Sequence, residues 1–159
     1  MKVAVGVVGR MKSGPEKLLI DRYVKRIEGL SRSVGVTGFN ICEINESRAS
    51  SAQTRKTEEA RELTTKLGIS TIIVFDECGK AVNSRQFADT FAQIRDQGTN
   101  AISFLIGGAD GIAPHLRDQS NHCYSFGAMT LPHQLVRVLV IEQLYRCMTL
   151  LTGHPYHRD

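Results

Sequence analysis

The chain has 159 residues and a mass of 17.6 kDa, a length that suits one domain with a sizeable core. Hydrophobic residues make up 42% and charged residues 23%, which excludes a disordered chain, and no run of about 18 uncharged apolar residues suggests a membrane span. The formal net charge is +4 and the pI is near 9.0, so a polyanion such as RNA is a natural partner.

Strand and helix patterns alternate along the chain. Short runs rich in β-branched residues predict strands at 3–8, 34–44, 71–75, 101–106 and 123–126. Apolar residues at helical spacing predict helices at 15–30, 50–67, 84–97, 114–120 and 133–152. Asp76 is expected to close the third strand, and Ser84 to cap the third helix. The alternation predicts an α/β fold with a mainly parallel sheet and helices on both faces, in a single domain over 1–159.

The last predicted helix, 133–152, is apolar almost all the way round. A helix of this kind must be buried on every side, which a monomer of this size rarely achieves for a terminal helix. We therefore expect a homodimer with this helix at the interface. Burial within one subunit is the alternative.

The charges and cysteines indicate a cytoplasmic, RNA-binding protein. Residues 1–70 carry 13 Lys and Arg against 8 Asp and Glu, so the basic excess lies in the first half, where it could grip RNA or simply form solvated helix faces. The four cysteines are far apart and form no C-x-x-C pair, which favours reduced thiols and no metal site. The N-terminus has too short an apolar stretch for a signal peptide.

Three segments carry candidate chemistry. The first, LIGGADG at 105–111, follows a predicted strand, and its glycines allow a ligand to approach the backbone. The second, SFGAMTLPH at 125–133, joins the last strand to the last helix. The third, GHPYHRD at 153–159, holds groups that can stack on a base or grip phosphate. Taken singly, each could be an ordinary turn, loop or frayed terminus.

Four motifs, taken in their order along the chain, resemble the ribosomal RNA large subunit methyltransferase H family of the SPOUT, or α/β-knot, methyltransferases. They are LIGGADG, SFGAMTLPHQLVRV, EQLYR and GHPYHR. The resemblance covers the whole chain. It implies an S-adenosylmethionine-dependent enzyme that methylates N3 of a pseudouridine in 23S rRNA of the assembled ribosome. It also implies a homodimer and a C-terminal trefoil knot within about residues 101–159, although true knots are very rare among folds.

The resemblance also implies two sets of site residues. Those for the cofactor, S-adenosyl-L-methionine, are Phe75, Gly108, Gly127, Ala128, Met129, Thr130, Leu131 and Pro132. Met129 stands where leucine is common in the family, which leaves the shape of this pocket open. Those for catalysis on the nucleotide are Arg146, His154, Tyr156, His157 and Arg158.

Roles for the catalytic set follow from the chemistry of an imide N–H. We expect His157 to act as the base, because histidine titrates near neutrality, although water could serve instead. Either Arg146 or Arg158 could stabilise the resulting anion, and Tyr156 could stack on the nucleobase. Two rival interpretations are a non-catalytic ribosome-binding module and a SPOUT enzyme with another RNA target. No metal and no membrane contact are expected.

Overall fold

One five-stranded sheet organises the computed structural model, which describes residues 1–157. The strands are β1 (Lys2–Val8), β2 (Gly38–Ile44), β3 (Thr71–Ala81), β4 (Ala101–Ile106) and β5 (His122–Ser125). Their order is β2-β1-β4-β3-β5, and every neighbouring pair is parallel. The predicted α/β class with a parallel sheet is confirmed. The trefoil knot stays a prediction.

Five α-helices connect and flank the strands, and one short 3-10 helix, Ser31–Val34, follows the first of them. None of the helices within 1–157 is long and apolar enough to cross a membrane. The α-helices are α1 (Pro15–Leu30), α2 (Ala52–Leu67), α3 (Ser84–Asp96), α4 (Pro114–Asp118) and α5 (His133–Thr152).

Three predicted boundaries were wrong. The second strand begins at Gly38, not at 34, because the 3-10 helix occupies the residues before it. Ser84 is the first residue of α3, and its cap is Asn83, which exchanges hydrogen bonds with Gln86 in a capping box. β3 does not end at Asp76 but pairs again with β5 at its far end, after an irregularity in the register.

Alternate residues of the central strands supply two cores, one on each face of the sheet. Ile102, Phe104 and Ile106 of β4 belong to the core formed with α1, α3 and α5, whereas Leu105 packs with residues of α2 and α4. This alternation follows from the period of two along a strand. It confirms the prediction of helices on both faces.

A single chain covers most of α5. Leu144, Cys147 and Met148 are fully buried, because α1 and α3 pack against this helix. Leu135 and Leu139 remain 42% and 36% exposed, one helical turn apart. The subunit itself therefore provides much of the burial expected from a partner, and the homodimer stays a prediction.

Arg137 connects α5 to the sheet. Its side chain is buried, and its Nη2 atom donates hydrogen bonds to the carbonyls of Val8 and Gly9 at the end of β1. Nη1 lies 3.3 Å from Oε1 of Glu43 on β2. Burial lowers the pKa of Arg137, and the charge of Glu43 opposes this effect. One guanidinium thus fixes the first half of α5 against two strand ends.

We expect Arg137→Met to lower the free energy of unfolding by about 3 kcal/mol, because it leaves two enclosed carbonyls without a donor and Glu43 without its partner. Urea denaturation measures the change. The matched control is Lys17→Met, which removes an exposed ion pair with Asp21 and should change stability by at most about 0.5 kcal/mol. Equal small losses in both variants would contradict an anchoring role for Arg137.

Candidate active site

A cavity of about 230 Å³ opens at the carboxyl ends of β4 and β5, beside the middle of β3. Its walls are Phe75 of β3, the loop 107–112 after β4, the loop 125–131 after β5, and the first turn of α5. Because the strands are parallel, their carboxyl ends share one edge of the sheet, which is where open α/β folds bind ligands. The topology therefore brings together two of the three segments that the sequence singled out.

The loop after β4 leaves no room for side chains at its base. The amide of Gly111 donates to the carbonyl of Gly108 at 3.0 Å, and Gly111 has a φ of +82°. A Cβ at Gly107 would lie 2.5 Å from the carbonyl carbon of Gly111, and one at Gly108 would lie 2.9 Å from Cγ1 of Val8. Glycines at these positions let the chain turn tightly and present its backbone to the cavity.

Arg55 and Glu59 of α2 support this loop from behind. The guanidinium of Arg55 pairs with Asp110 through both carboxylate oxygens, with distances of 2.7 and 3.1 Å, and also donates to the carbonyl of Ala49 at 3.0 Å. The hydrogen bond from Arg55 holds the pKa of Asp110 below its usual value. Glu59 is buried, accepts a hydrogen bond from the amide of Ser47, and has its pKa raised by burial.

The loop after β5 is fixed by a local turn and an aromatic stack. Oγ of Ser125 accepts from the amide of Gly127 at 3.0 Å and donates to its carbonyl at 2.9 Å. Gly127 has a φ of +126°, and a Cβ there would meet nothing within 4 Å. The ring of Phe126 stacks on Phe75 with centroids 5.2 Å apart and planes 9° apart. The cavity therefore has one flat apolar wall and one wall of exposed backbone.

The structure gathers most of the residues predicted for the cofactor. Those lining the cavity are Phe75, Gly108, Gly127, Met129, Thr130 and Leu131. Ala128 and Pro132 do not line it. Pro132 instead precedes α5, where its carbonyl accepts from the amides of Leu135 and Val136.

Sequence reasoning missed the acidic character of the cavity. Asp76, Glu77 and Asp110 line it, and within residues 1–157 its lining contains no Lys or Arg. Oδ1 of Asp76 accepts from the amide of Cys78 at 3.0 Å and pairs with Arg117 at 3.4 Å. Asp76 was expected only to close the third strand, and Glu77 lies in the part of β3 that extends beyond its predicted end.

The residues predicted for catalysis lie away from this cavity, at the far end of α5. Arg146 and Tyr156 both bind Oε1 of Glu142, and neither lines the cavity. At 1.5 Å per residue, Arg146 lies about 20 Å along the helix from His133, which does line it. Each subunit therefore holds the two predicted sets of site residues in separate places.

Two histidines of the C-terminal segment 153–159, which we call the tail, accompany Tyr156. Nδ1 of His154 accepts from the amide of Tyr156 at 3.1 Å. The side chain of His157 is partly buried, and its Nδ1 atom is enclosed with no hydrogen-bond partner among residues 1–157. Arg158 lies outside the described residues. Burial, and then the charge and hydrogen bond of Glu142, raise the pKa of Tyr156, so its hydroxyl is protonated near neutrality.

A second cavity, of about 370 Å³, lies between α1, the ends of β1 and β2, and α5. Arg10, Lys17 and Arg137 line it together with Asp21 and Glu43. It is thus bordered by charges of both signs, unlike the first cavity. Within the described part of the chain, no three His, Cys, Asp or Glu side chains are grouped so that they could hold a metal ion.

Comparison with known proteins identifies the family. A family model described as "Predicted SPOUT methyltransferase" matches residues 1–157. Proteins named ribosomal RNA large subunit methyltransferase H from Rhizobium etli and Agrobacterium fabrum are 48% and 45% identical over 159 residues, with 99% of each chain covered. The chain therefore belongs to the SPOUT methyltransferase family.

Solved structures share the fold at low sequence identity. A probable methylase family protein from Haemophilus influenzae is 11% identical with a TM-score of 0.52, and covers 99% of this chain and 70% of its own. A probable methyltransferase from Bordetella pertussis is 13% identical with a TM-score of 0.51, over 92% and 95% of the two chains. At these identities the likeness concerns the fold alone.

Methyltransferases of this family use S-adenosylmethionine, and the residues of the acidic cavity suit it. The donor carries a sulfonium and an ammonium group, both of which are attracted to nearby carboxylates. Its adenine ring is planar, and its face can pack on an aromatic wall such as the stacked pair of Phe75 and Phe126. The exposed backbone of Gly108 and Gly127 offers hydrogen-bonding groups without side chains in the way.

We expect Arg55→Ala to weaken S-adenosylmethionine binding about three- to tenfold, because Asp110 and the glycine loop lose the guanidinium that fixes them. Isothermal titration calorimetry measures the dissociation constant. Lys66→Ala is the control, because it removes an exposed ion pair with Glu62 on the same helix. Unchanged affinity in Arg55→Ala would mean that α2 does not support the donor site.

Proposed function

We propose that this protein transfers a methyl group from S-adenosylmethionine to N3 of a pseudouridine in 23S rRNA of the assembled ribosome, in the cytoplasm. The single observation that carries the proposal is the cavity at the strand ends, with glycine backbone on one side and three carboxylates in its lining. Arg55 and Arg117 balance Asp110 and Asp76 from outside the lining, so the preference for a cationic donor over phosphate-bearing cofactors rests on Glu77 and on a described lining without Lys or Arg. Relatives named ribosomal RNA large subunit methyltransferase H, aligned along nearly the whole chain, support an rRNA substrate.

On the donor side, the protein supplies orientation. The bound donor provides an electrophilic methyl group on its sulfonium. The loops 107–111 and 125–131 hold this group in place through their backbones, and Phe75 and Leu131 exclude water from the ring. Correct alignment of donor and acceptor contributes several kcal/mol to catalysis.

On the acceptor side, the tail supplies polar groups. His157 would take the proton from N3 as the methyl group passes from sulfur to N3, so that the methyl–sulfur bond breaks and the donor leaves as a neutral thioether. A water molecule is the alternative base. Either Arg146 or Arg158 stabilises the negative charge that develops on the neighbouring carbonyl oxygens. Tyr156 contributes a neutral hydroxyl group and an aromatic ring.

The separation of the two sets of residues favours a site shared between subunits. Arg146 lies about 15 Å along α5 from Val136, the nearest residue of this helix that lines the cavity, which is too far for its side chain to reach the donor in its own subunit. In a homodimer, the tail of one subunit can lie over the cavity of the other. Exposed leucines on α5 and α1, namely Leu135, Leu139 and Leu18, supply apolar surface for such an interface.

Recognition of the RNA would rest on the basic first half of the chain. Arg10 and Lys17, which line the second cavity, are exposed and lie close to α5. Contacts between these cations and phosphates would fix the orientation of the RNA, and the surrounding ribosome would supply the specificity. Such binding weakens as salt concentration rises.

Mass spectrometry of 23S rRNA tests the function. We expect ribosomes from a strain that lacks the gene to miss one N3-methylpseudouridine, and purified protein with S-adenosylmethionine to restore it. Methylation at another nucleotide would support a SPOUT enzyme with a different RNA target. Ribosome binding without any affinity for S-adenosylmethionine would support the non-catalytic module. Either result would overturn the proposal.

Mixed dimers test the shared site. One subunit is truncated after Gly153 and loses its tail; the other carries Gly127→Val, which places a β-branched residue at a φ of +126° and should abolish donor binding. Each homodimer should be inactive. The purified mixed dimer should recover about half of wild-type activity, because one intact cavity meets one intact tail. An inactive mixed dimer would mean that the tail serves its own subunit.

A further inference from the structure

One oxygen atom of Glu142 organises two residues of the proposed catalytic set. Oε1 of Glu142 accepts from Nε and Nη2 of Arg146 at 3.0 and 2.7 Å, and from the hydroxyl of Tyr156 at 3.1 Å. The other oxygen accepts from Nε2 of Gln143 at 2.7 Å. The carboxylate side chain is only 14% exposed. The guanidinium of Arg146 and the hydroxyl of Tyr156 in the tail are therefore both held by the carboxylate of Glu142 on α5.

A second hydrogen bond to Tyr156 comes from α1. The hydroxyl of Tyr23 lies 3.2 Å from that of Tyr156. Because the hydroxyl of Tyr156 donates its proton to Glu142, the hydroxyl of Tyr23 donates to Tyr156. The guanidinium of Arg26 lies 5.6–6.0 Å from the ring centroids of Tyr23, Tyr145 and Tyr156, within the range of cation–π attraction.

We propose that Glu142 and Tyr23 are positioning residues for methyl transfer: together they hold Arg146, Tyr156 and the residues that follow in the orientation that the reaction needs. This inference rests on the proposed function. It extends the catalytic apparatus to α1, which carries none of the residues predicted for catalysis. Neither residue would touch the substrate, and both would act through Tyr156 or Arg146.

The chemistry of the cluster favours positioning over simple packing. Arg146 packs over the ring of Tyr156 at 5.1 Å while sharing Glu142 with it, so the guanidinium and the phenol constrain each other. Tyr23 and Arg146 are partly exposed and lie outside the fully buried core, so their hydrogen bonds add little to stability. Holding the long side chains of Arg146 and Glu142 in one conformation costs entropy, and such a cost is typical of a site whose residues must be held rigidly.

The first test compares kinetic constants on ribosomes from the deletion strain. We expect Glu142→Gln to lower kcat about tenfold and Tyr23→Phe about three- to fivefold, with KM for S-adenosylmethionine changed less than about twofold. We expect kcat to change more than KM because Glu142 and Tyr23 lie far from the donor cavity. Tyr145→Phe is the matched control, because its ring packs against Tyr156 at 4.7 Å while its hydroxyl is not part of the network. Its kcat should stay at the wild-type value.

A double variant tests whether Tyr23 acts through Tyr156. If it does, Tyr23→Phe should cause no further loss of kcat in a Tyr156→Phe background, within about twofold. Independent losses that multiply would overturn the proposed role of Tyr23. A wild-type kcat in Glu142→Gln would overturn the role of Glu142.

A second measurement does not depend on any methylation. Hydrogen exchange by NMR reports the amides of His154 and Tyr156, which donate to the carbonyl of Thr149 at 2.9 Å and to Nδ1 of His154 at 3.1 Å. Both should exchange faster in Glu142→Gln and Tyr23→Phe, and not in Tyr145→Phe. If the wild-type protein methylates no rRNA, the proposed function fails, and exchange still decides whether these residues position the tail. Unchanged exchange in both variants would overturn the inference.

Discussion

The hydrogen bonds of Arg137 to the end of β1 are the interaction on which the functional geometry depends. They fix the first half of α5 against the sheet, through the carbonyls of Val8 and Gly9. The first turn of the same helix closes the acidic cavity, and its middle carries Glu142 and Arg146. Because a helix is stiff over this length, a shift at Arg137 would move the cavity wall and the tail support together. A buried cation is costly, so its retention here indicates a need for one defined helix position.

Charge is divided between the two ends of α5 in a way that suits methyl transfer. The cavity end has three carboxylates in its lining, two of them paired with Arg55 and Arg117 from outside it, and this suits a cationic donor. The tail end has Arg26 and Arg146, which suit an anionic substrate and the charge it develops. Glu142 lies among these cations and accepts from Arg146, so it balances one of them. The remaining positive charge is available to RNA. The modest net charge of +4 conceals this separation.

The sequence predicted the class of fold and most of its elements, because strand and helix periodicities are strong in 71–75, 101–106 and 133–152. It could not predict the extension of β3, since the residues after Phe75 are polar and pair with β5 only after an irregularity. The glycine loops and the tail were identified as candidate sites, but the side chains that support them were not. Arg55, which supports the loop after β4, is far from Asp110 in sequence, and Tyr23, which supports the tail, is far from Tyr156. Side-chain pairs at long range leave no periodic signal. Glu142 and Arg146 are the exception, because their spacing of four residues predicts a contact on a helix.

The length of α5 limits how the two ends can cooperate. The tail turns back at Gly153, with a φ of +66°, and Tyr156 packs beside Tyr145 rather than toward the cavity. About 14 Å of helix separates Tyr145 from Val136 in the cavity wall, and a side chain spans only about half of that distance. If the tail is rigid, as the contacts of Glu142 and Tyr23 indicate, it cannot swing over its own cavity. Rigid support of the tail therefore agrees with the proposal that a second subunit completes the site: the more firmly Glu142 and Tyr23 hold Tyr156, the less the tail can serve the cavity of its own chain.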